Sequence, residues 1–490
     1  MHAPNPEHFD VIIVGAGICG VGGAYHLRTQ LPGLRFVVLD SQDSFGGTWR
    51  THRYPGIRSD SDLHTYGYRF KPWRGAPIAT AAEILKYMGE VIDENGLASH
   101  FRYRHQIVSA QWSSATNRWT LDVRRTDTGE QRQLSTSFLW MCQGYYRHSE
   151  GYTPPWRGMA EFQGTIVHPQ RWPEGLDYTG KRVVVIGSGS TATTLVPAIA
   201  DAAAHVTMLQ RSASYYVPGR NVQELAVTLR QLEIDESWIH EIVRRKILLD
   251  QSVFLARTFT EPEAVRTELL ANVRNHLPDV EMEPHFTPTY RPWQQRVCFV
   301  PDGDLFAGIR AGKVSVVTDQ IERFTTTGLD LTSGAKLDAD IIVTATGFQL
   351  NVLGDIEFSI DGQPLRFNDT VTYRGMMFTG VPNLVWIYGY FRQAWTLRAD
   401  LVADFVCRLL RHMQRRGAHK VEVALRPTEA GMSLGPWVDA GNFNPGYLQR
   451  AVHLWPKSGD TPEWQHTQDY AADQKSFPAI DLDDAVFVYR

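Results

Sequence analysis

The sequence predicts an α/β protein, and three observations predict it. Phe9 to Val14 is a mostly apolar, β-branched run that ends in Gly15-Ala16-Gly17-Ile18-Cys19-Gly20; a helical pattern follows, then a second apolar run, Phe36 to Leu39, closed by Asp40. The same order of strand, glycine turn, helix and strand recurs from Arg182 to Arg211, with Gly187-Ser188-Gly189-Ser190-Thr191-Ala192 as its turn. Each is a βαβ unit of the Rossmann-like kind. Between about 221 and 290 the chain is leucine-rich with interspersed charges, a helical insertion.

The remaining elements follow from local pattern. Ala81 to Ile92 places Ile84, Leu85, Met88, Val91 and Ile92 at amphipathic helix spacing. From Ile107 to Met141 short β-rich stretches alternate with turn clusters and predict an antiparallel meander set into the first unit. Asp340 to Gly347 is a further buried strand ending in glycine.

Composition narrows the function classes. A chain of 490 residues, 43% hydrophobic and 21% charged, has material for two or three domains and a sizeable core. A net charge of −4 leaves no basic field to hold nucleic acid, and the run Arg244-Arg245-Lys246 reads as a solvated helix face. Cys19, Cys142, Cys298 and Cys407 are scattered without a CxxC, which excludes a redox dithiol and a zinc knuckle and predicts no metal. Met376 to Phe391, interrupted by Gly380, Pro382 and Gly389, is too short for a membrane span and reads as buried strands. The N-terminal octet has neither a basic nor an apolar leader region, so a soluble, cytoplasmic protein is expected.

A lone GxGxxG is weak, but here a strand precedes it, a helix follows, and an acid ends the next strand. Gly15 permits the tight turn, Gly17 lets backbone approach a pyrophosphate, and Gly20 lets helix pack on strand. Asp40 accepts from ribose hydroxyls and repels a 2′-phosphate, so this unit suits FAD or NAD. Gly46-Gly47-Thr48-Trp49, just beyond Asp40, is placed to cover such a cofactor. In the second unit the corresponding strand ends in Gln210-Arg211-Ser212, with no acid. Arg211 grips a 2′-phosphate and Ser212 donates to it, which favours NADPH. Flavin chemistry at one unit and hydride delivery at the other is the division of labour this predicts.

Phe162-x-Gly164-x-x-x-His168-x-x-x-Trp172-Pro173 precedes the second unit. It matches the FxGxxxHxxxW(P/D) fingerprint of Baeyer–Villiger monooxygenases at every fixed position. The chain resembles this family, its ethionamide-activating branch most, through Arg53 to Leu63, His168-Pro169-Gln170, Gly187 to Ala192, Trp293 to Arg296 and Trp395-Thr396-Leu397. The resemblance implies an NADPH domain inserted in an FAD domain. The FAD domain would span 1–150 and 345–490 with the C-terminal segment, the NADPH domain 151–215 and 297–344, and the helical insertion 216–296. It implies FAD contacts at Gly15, Ala16, Gly17, Cys19, Gly20, Asp40, Gly47, Thr48, Trp49 and Asp60, with Val108 near the adenine. It implies NADPH contacts at Arg58, Ser59, Asp60, Gly187, Ser188, Gly189, Ser190, Thr191, Ala192, Thr193, Arg211 and Ser212. The family's catalytic arginine corresponds to Arg296. One departure stands out: many relatives carry a lysine just before that arginine, helping to hold the 2′-phosphate, where this chain has Gln295. No motif places the last 75 or so residues.

The implied chemistry is insertion of one atom of O2 beside a ketone carbonyl through a C4a-peroxyflavin, with sulfides as further substrates. A peroxide anion needs a fixed cation, and arginine keeps its proton. Asp60 is the expected carboxylate partner of Arg296, and His168, Phe162 and Trp172 are expected to fix the hinge between domains. Trp395, Tyr388 and Tyr390 are candidates for the acceptor pocket. The alternative is an N- or S-oxygenating flavin-containing monooxygenase, which would not need Arg296.

Overall fold

A computed structural model describes residues 6–490, so most of the N-terminal octet lies outside the described residues. The apolar run before the first glycine turn forms β1 (Glu7–Val14), and α1 (Ile18–Gln30) returns the chain to a parallel β2 (Phe36–Leu39). A methyl group on Gly20 would stand 1.8 Å from the Gly15 carbonyl oxygen. Helix and strand therefore meet at backbone distance, which only glycine permits. The amphipathic stretch after it is the helix Ala81–Glu94, started by a Thr80–Glu83 capping box.

The expected meander is real but not a separate inset. His105–Ser113, Arg118–Arg125 and β3 (Gln131–Met141) pair antiparallel in sequence. Along one edge β3 runs parallel to β1. Its other edge is shared: residues 131–136 pair with Arg118–Arg125, and residues 139–141 pair with Leu384–Trp386. One nine-stranded sheet results. The eleven residues of β3 reach about 36 Å at strand rise, enough to serve both neighbours. Met376 to Phe391 is buried and contributes Met377–Phe378 and Leu384–Trp386. Among the described residues no helix is long and apolar enough to cross a membrane.

β4 (Tyr146–Gly151) leads out of this sheet. The second unit is a five-stranded sheet, in the order Val314–Thr318, β6 (His205–Gln210), β5 (Arg182–Ile186), Ile341–Thr344, Thr165–Val167, all parallel. After the Gly187 turn, α2 (Ser190–Ala200) packs on it. The leucine-rich stretch becomes Glu224–Gln231, the long α3 (Glu236–Thr260) and Pro262–His276. Strands Tyr215–Gly219 and Val297–Pro301, at its two ends, pair with each other. β7 (Phe348–Leu350) then returns the chain, antiparallel to β4, so the two crossings lie side by side.

The basic run on α3 needs correction. Arg245 and Lys246 are exposed, paired with Glu241 and Asp250 one turn away. Arg244 is only 3% exposed and donates to the carbonyls of His64, Thr65 and Gly67 at 3.0, 3.1 and 3.1 Å. One residue of helical rotation, about 100°, is enough to turn it from solvent towards the first sheet's loops. The C-terminal residues also gain a place: Trp437, Phe443, Leu448 and Trp455 are buried in the core of the first sheet, and α4 (Gly446–Arg450) lies beside β7.

Candidate active site

Between the two sheets lies a cavity of about 850 Å³ walled by both glycine turns. In the first unit Gly15 has φ +101°, and Gly17 caps α1 with no side chain on the helix's free N–H groups. Those amides remain available to a phosphate. Gly47 has φ +53°, and a Cβ there would make a tight 3.0 Å contact with the Gly17 Cα. Asp40 Oδ2 accepts from the Ala16 N–H at 2.6 Å and Oδ1 from the Gln42 N–H at 2.8 Å. Burial raises its pKa, and those two amides work against the rise. Asp40 therefore shapes the glycine turn as well as facing the cavity.

Thr48 Oγ1 lies 2.7 Å from the Tyr146 hydroxyl, and Trp49 Nε1 donates to the Tyr66 hydroxyl at 3.0 Å. Cys19, on the wall, accepts from Trp395 Nε1 at 3.2 Å, and burial pushes its thiol up to about 12, so it is no nucleophile. Ala16 and Gly20 lie behind the wall. Val108 is not brought to the cavity: it is exposed, at a register shift between Ile107 and Ser109.

In the second unit Gly187 has φ +130°, and a methyl there would be 2.4 Å from the Ala345 carbonyl oxygen. A Cβ on Gly189 would meet nothing within 4 Å; the space in front of the α2 N-terminus is open, as a pyrophosphate requires. Ser188, Ser190, Thr191, Arg211 and Ser212 line the wall. Ala192 and Thr193 are buried in α2 and do not reach the cavity. Arg58 is on the wall but paired to Asp304 at 2.6 Å. Ser59 is buried, exchanging bonds with Ala79, and does not face the cavity.

Asp60 and Arg296 meet. Arg296 Nη1 donates to Asp60 Oδ2 at 3.2 Å, and the Ser190 hydroxyl donates to the same oxygen at 3.2 Å. Three segments thus converge: the loop after the first unit, the end of the insertion, and the start of α2. The side chains keep 32% and 42% exposure, so the pair positions the guanidinium more than it stabilises the fold. Burial lowers the Arg296 pKa, but Tyr447, Asp60 and Tyr145 around it outweigh burial and the net shift is upward. Trp395 and Tyr390 reach the wall, whereas Tyr388 is core beneath it.

A scan against family models matches residues 13–73 to an NAD(P)-binding Rossmann-like domain and residues 77–232 to a flavin-binding monooxygenase-like family. FAD-containing monooxygenase EthA of Mycobacterium tuberculosis is 45% identical over 481 residues, covering 98% of this chain and 97% of that protein. The chain belongs to the FAD-containing monooxygenases. The probable FAD-binding monooxygenase AlmA of an Acinetobacter species is 40% identical over 488 residues, covering 99% and 97%. Among solved structures, an oxidized steroid monooxygenase bound to NADP matches with TM-score 0.78 at 24% identity over 98% of this chain and 99% of that one. Cyclohexanone monooxygenase with epsilon-caprolactone bound matches with TM-score 0.75 at 20% identity over 99% and 100%. This monooxygenase therefore shares the fold of those two structures, and FAD is its family's cofactor.

Among the fingerprint residues His168 sits at the crossings, whereas Phe162 and Trp172, expected to share the hinge, pack in the core of the second unit. His168 Nε2 donates to the Gly347 carbonyl at 3.2 Å while Nδ1 accepts from the Gln170 N–H, so the ring is neutral with its proton on Nε2; burial lowers its pKa. Gly151 is bare beneath that ring: a Cβ would come within 1.9 Å of it. One imidazole thus touches both strands that join the sheets. Gly164 is equally constrained, since a methyl would be 2.5 Å from the Phe162 ring and 2.4 Å from the Asp340 carbonyl oxygen. Residues absent from the sequence-based candidates also reach the wall: His52, Tyr145, Tyr146, Tyr447 and Arg450. They lie between or after the recognisable motifs, and no spacing rule points to them.

Proposed function

We propose that this monooxygenase inserts one oxygen atom of O2 beside a ketone carbonyl, giving an ester or lactone, at the expense of NADPH. Bound FAD and NADPH would supply hydride transfer and oxygen activation; the chain supplies position and charge. The single observation that carries the proposal is Arg296, a permanent cation held at the cavity wall by Asp60. A carbonyl is attacked by an anionic oxygen, and an anion forming in a cavity needs a fixed positive partner. Asp60 orients the guanidinium and limits its swing. Ser190, bonded to the same carboxylate oxygen, makes that orientation depend on how α2 sits against the first unit. His168, on both crossings, would fix the axis about which the two units move.

The test is product analysis under 18O2 with a ketone panel, in which one labelled atom appears in the ester. Arg296→Ala should still oxidise NADPH through flavin, while ester formation falls by about 100-fold or more, the cost of losing such an electrostatic partner. Normal ester yield in that variant overturns the role of Arg296. Oxidation of sulfides and amines alone would place the protein with the N- or S-oxygenating enzymes.

A further inference from the structure

Four arginines line the cavity: Arg58, Arg211, Arg296 and Arg450. Arg58 is paired with Asp304 and Arg296 with Asp60. Among the described residues Arg211 and Arg450 have no carboxylate within ion-pair distance. Asp319, whose N–H bonds to the Gln210 carbonyl beside Arg211, also lines the cavity, and its Oδ1 accepts from Thr332 Oγ1 at 2.7 Å and from the Gln320 N–H at 2.7 Å. Both are solvent-exposed, and two unpaired guanidiniums lining one cavity leave charge and N–H donors free for an anion.

Arg450 is held rather than loose. Its guanidinium lies 3.5 Å over the Tyr152 ring, and Nη2 donates to the Phe348 carbonyl at 3.4 Å. Stacking fixes the plane of the fork and leaves other N–H groups unused in the protein. Tyr152 is itself tied to the returning crossing through its N–H to the Gly347 carbonyl at 3.0 Å. Three residues earlier on α4, Tyr447 is one of the groups around Arg296, and both side chains line the cavity. Arg450 also senses Arg211: burial lowers its pKa, Tyr152 opposes that, and the Arg211 charge lowers it again.

We propose that Arg450 is the second cation of the 2′-phosphate site, lining the same cavity as Arg211 and supplying from the C-terminal segment the charge that Gln295 does not provide. The ligand is the phosphomonoester of a 2′-phosphorylated adenosine nucleotide. Near neutral pH it carries about −1.5 to −2, the charge two guanidiniums balance. The pyrophosphate has its own place at the open N-terminus of α2, beside Gly189. Ser212 and Ser188, on the wall beside Arg211, add hydroxyl donors. This inference rests on the reading of the second unit as the NADPH site.

The experiment titrates the FAD-loaded enzyme calorimetrically with 2′,5′-ADP and with 5′-AMP, which differ at the 2′-phosphate. Arg450→Gln should weaken 2′,5′-ADP about tenfold, the loss of one charge-assisted contact, and leave 5′-AMP within about twofold. The KM for NADPH should rise in parallel and that for NADH should hold. Arg450→Lys should recover most of the loss, and retained FAD with an unchanged melting midpoint guards against misfolding. Equal weakening of both nucleotides, or of neither, overturns the inference. Arg211→Gln separates the two layers. If it lowers the 2′,5′-ADP preference and Arg450→Gln does not, only the Arg450 assignment fails; if neither variant does, the 2′-phosphate reading of the unit fails with it.

Discussion

At the scale of single residues, His52 shows how burial converts into pH dependence. Its Nε2 lies 3.2 Å from the Tyr146 hydroxyl, which also bonds Thr48 on the first unit's wall. Burial first, then the neighbouring His148 and His168, push its pKa down to about 4. The unfolded chain, at about 6.5, binds the proton first. Stability is therefore complete above about 6.5 and is lost as pH falls from there towards 4. The expected loss from this one group is on the order of 3 kcal/mol. His52→Gln keeps a hydrogen bond without the titration, so its melting midpoint should fall less between pH 7 and pH 5 than that of the unaltered protein. Equal slopes would refute the assignment. Asp60 and Arg296 teach the complementary lesson, being 236 positions apart. No local spacing rule pairs them; only family resemblance or the fold does.

At the scale of elements, what was legible was whatever is enforced locally. Glycine turns were legible because their constraints arise within a few residues: the Gly20 approach to Gly15 is set inside one βαβ unit. Gly20→Ala should cost about 2–3 kcal/mol, at the upper end for an overpacked methyl, and should release FAD, because α1 cannot retreat without moving its N-terminal amides. Absorbance of bound flavin after gel filtration checks this, and full retention would sink it. The helices of the insertion were legible by the same logic of local periodicity. The division of β3 was not, because pairing partners at 118–125 and 384–386 are chosen by the whole sheet. Arg244 was misread for that reason too: helical position tells which face a residue occupies, not what packs on that face.

At the scale of the whole molecule, the insertion and the C-terminal segment join two units that could otherwise drift apart. Arg244 reaches from α3 to three carbonyls around the helix Leu63–Tyr66. Arg244→Leu leaves those acceptors buried and should cost on the order of 3 kcal/mol, with faster proteolysis of the insertion. Arg245→Ala, removing an exposed pair, should cost less than about 0.5 kcal/mol. Urea midpoints for the two variants would decide, and equal values would contradict the buried-clamp account.

The order of residues alone determined two βαβ units with glycine turns, one closed by an acid and the other by an arginine, and a helical stretch after the second. Each depends on backbone sterics, periodicity or charge within a few dozen positions, and such rules act before the chain is compact. Tertiary structure alone decided which distant groups meet beyond the expected Asp60–Arg296 pair: His168 with both crossings, Arg244 with three carbonyls around Leu63–Tyr66, and Arg450 with the cavity wall. Those meetings arise only when two sheets close on one another and buried polar groups must find partners, and that is a property of the packed molecule.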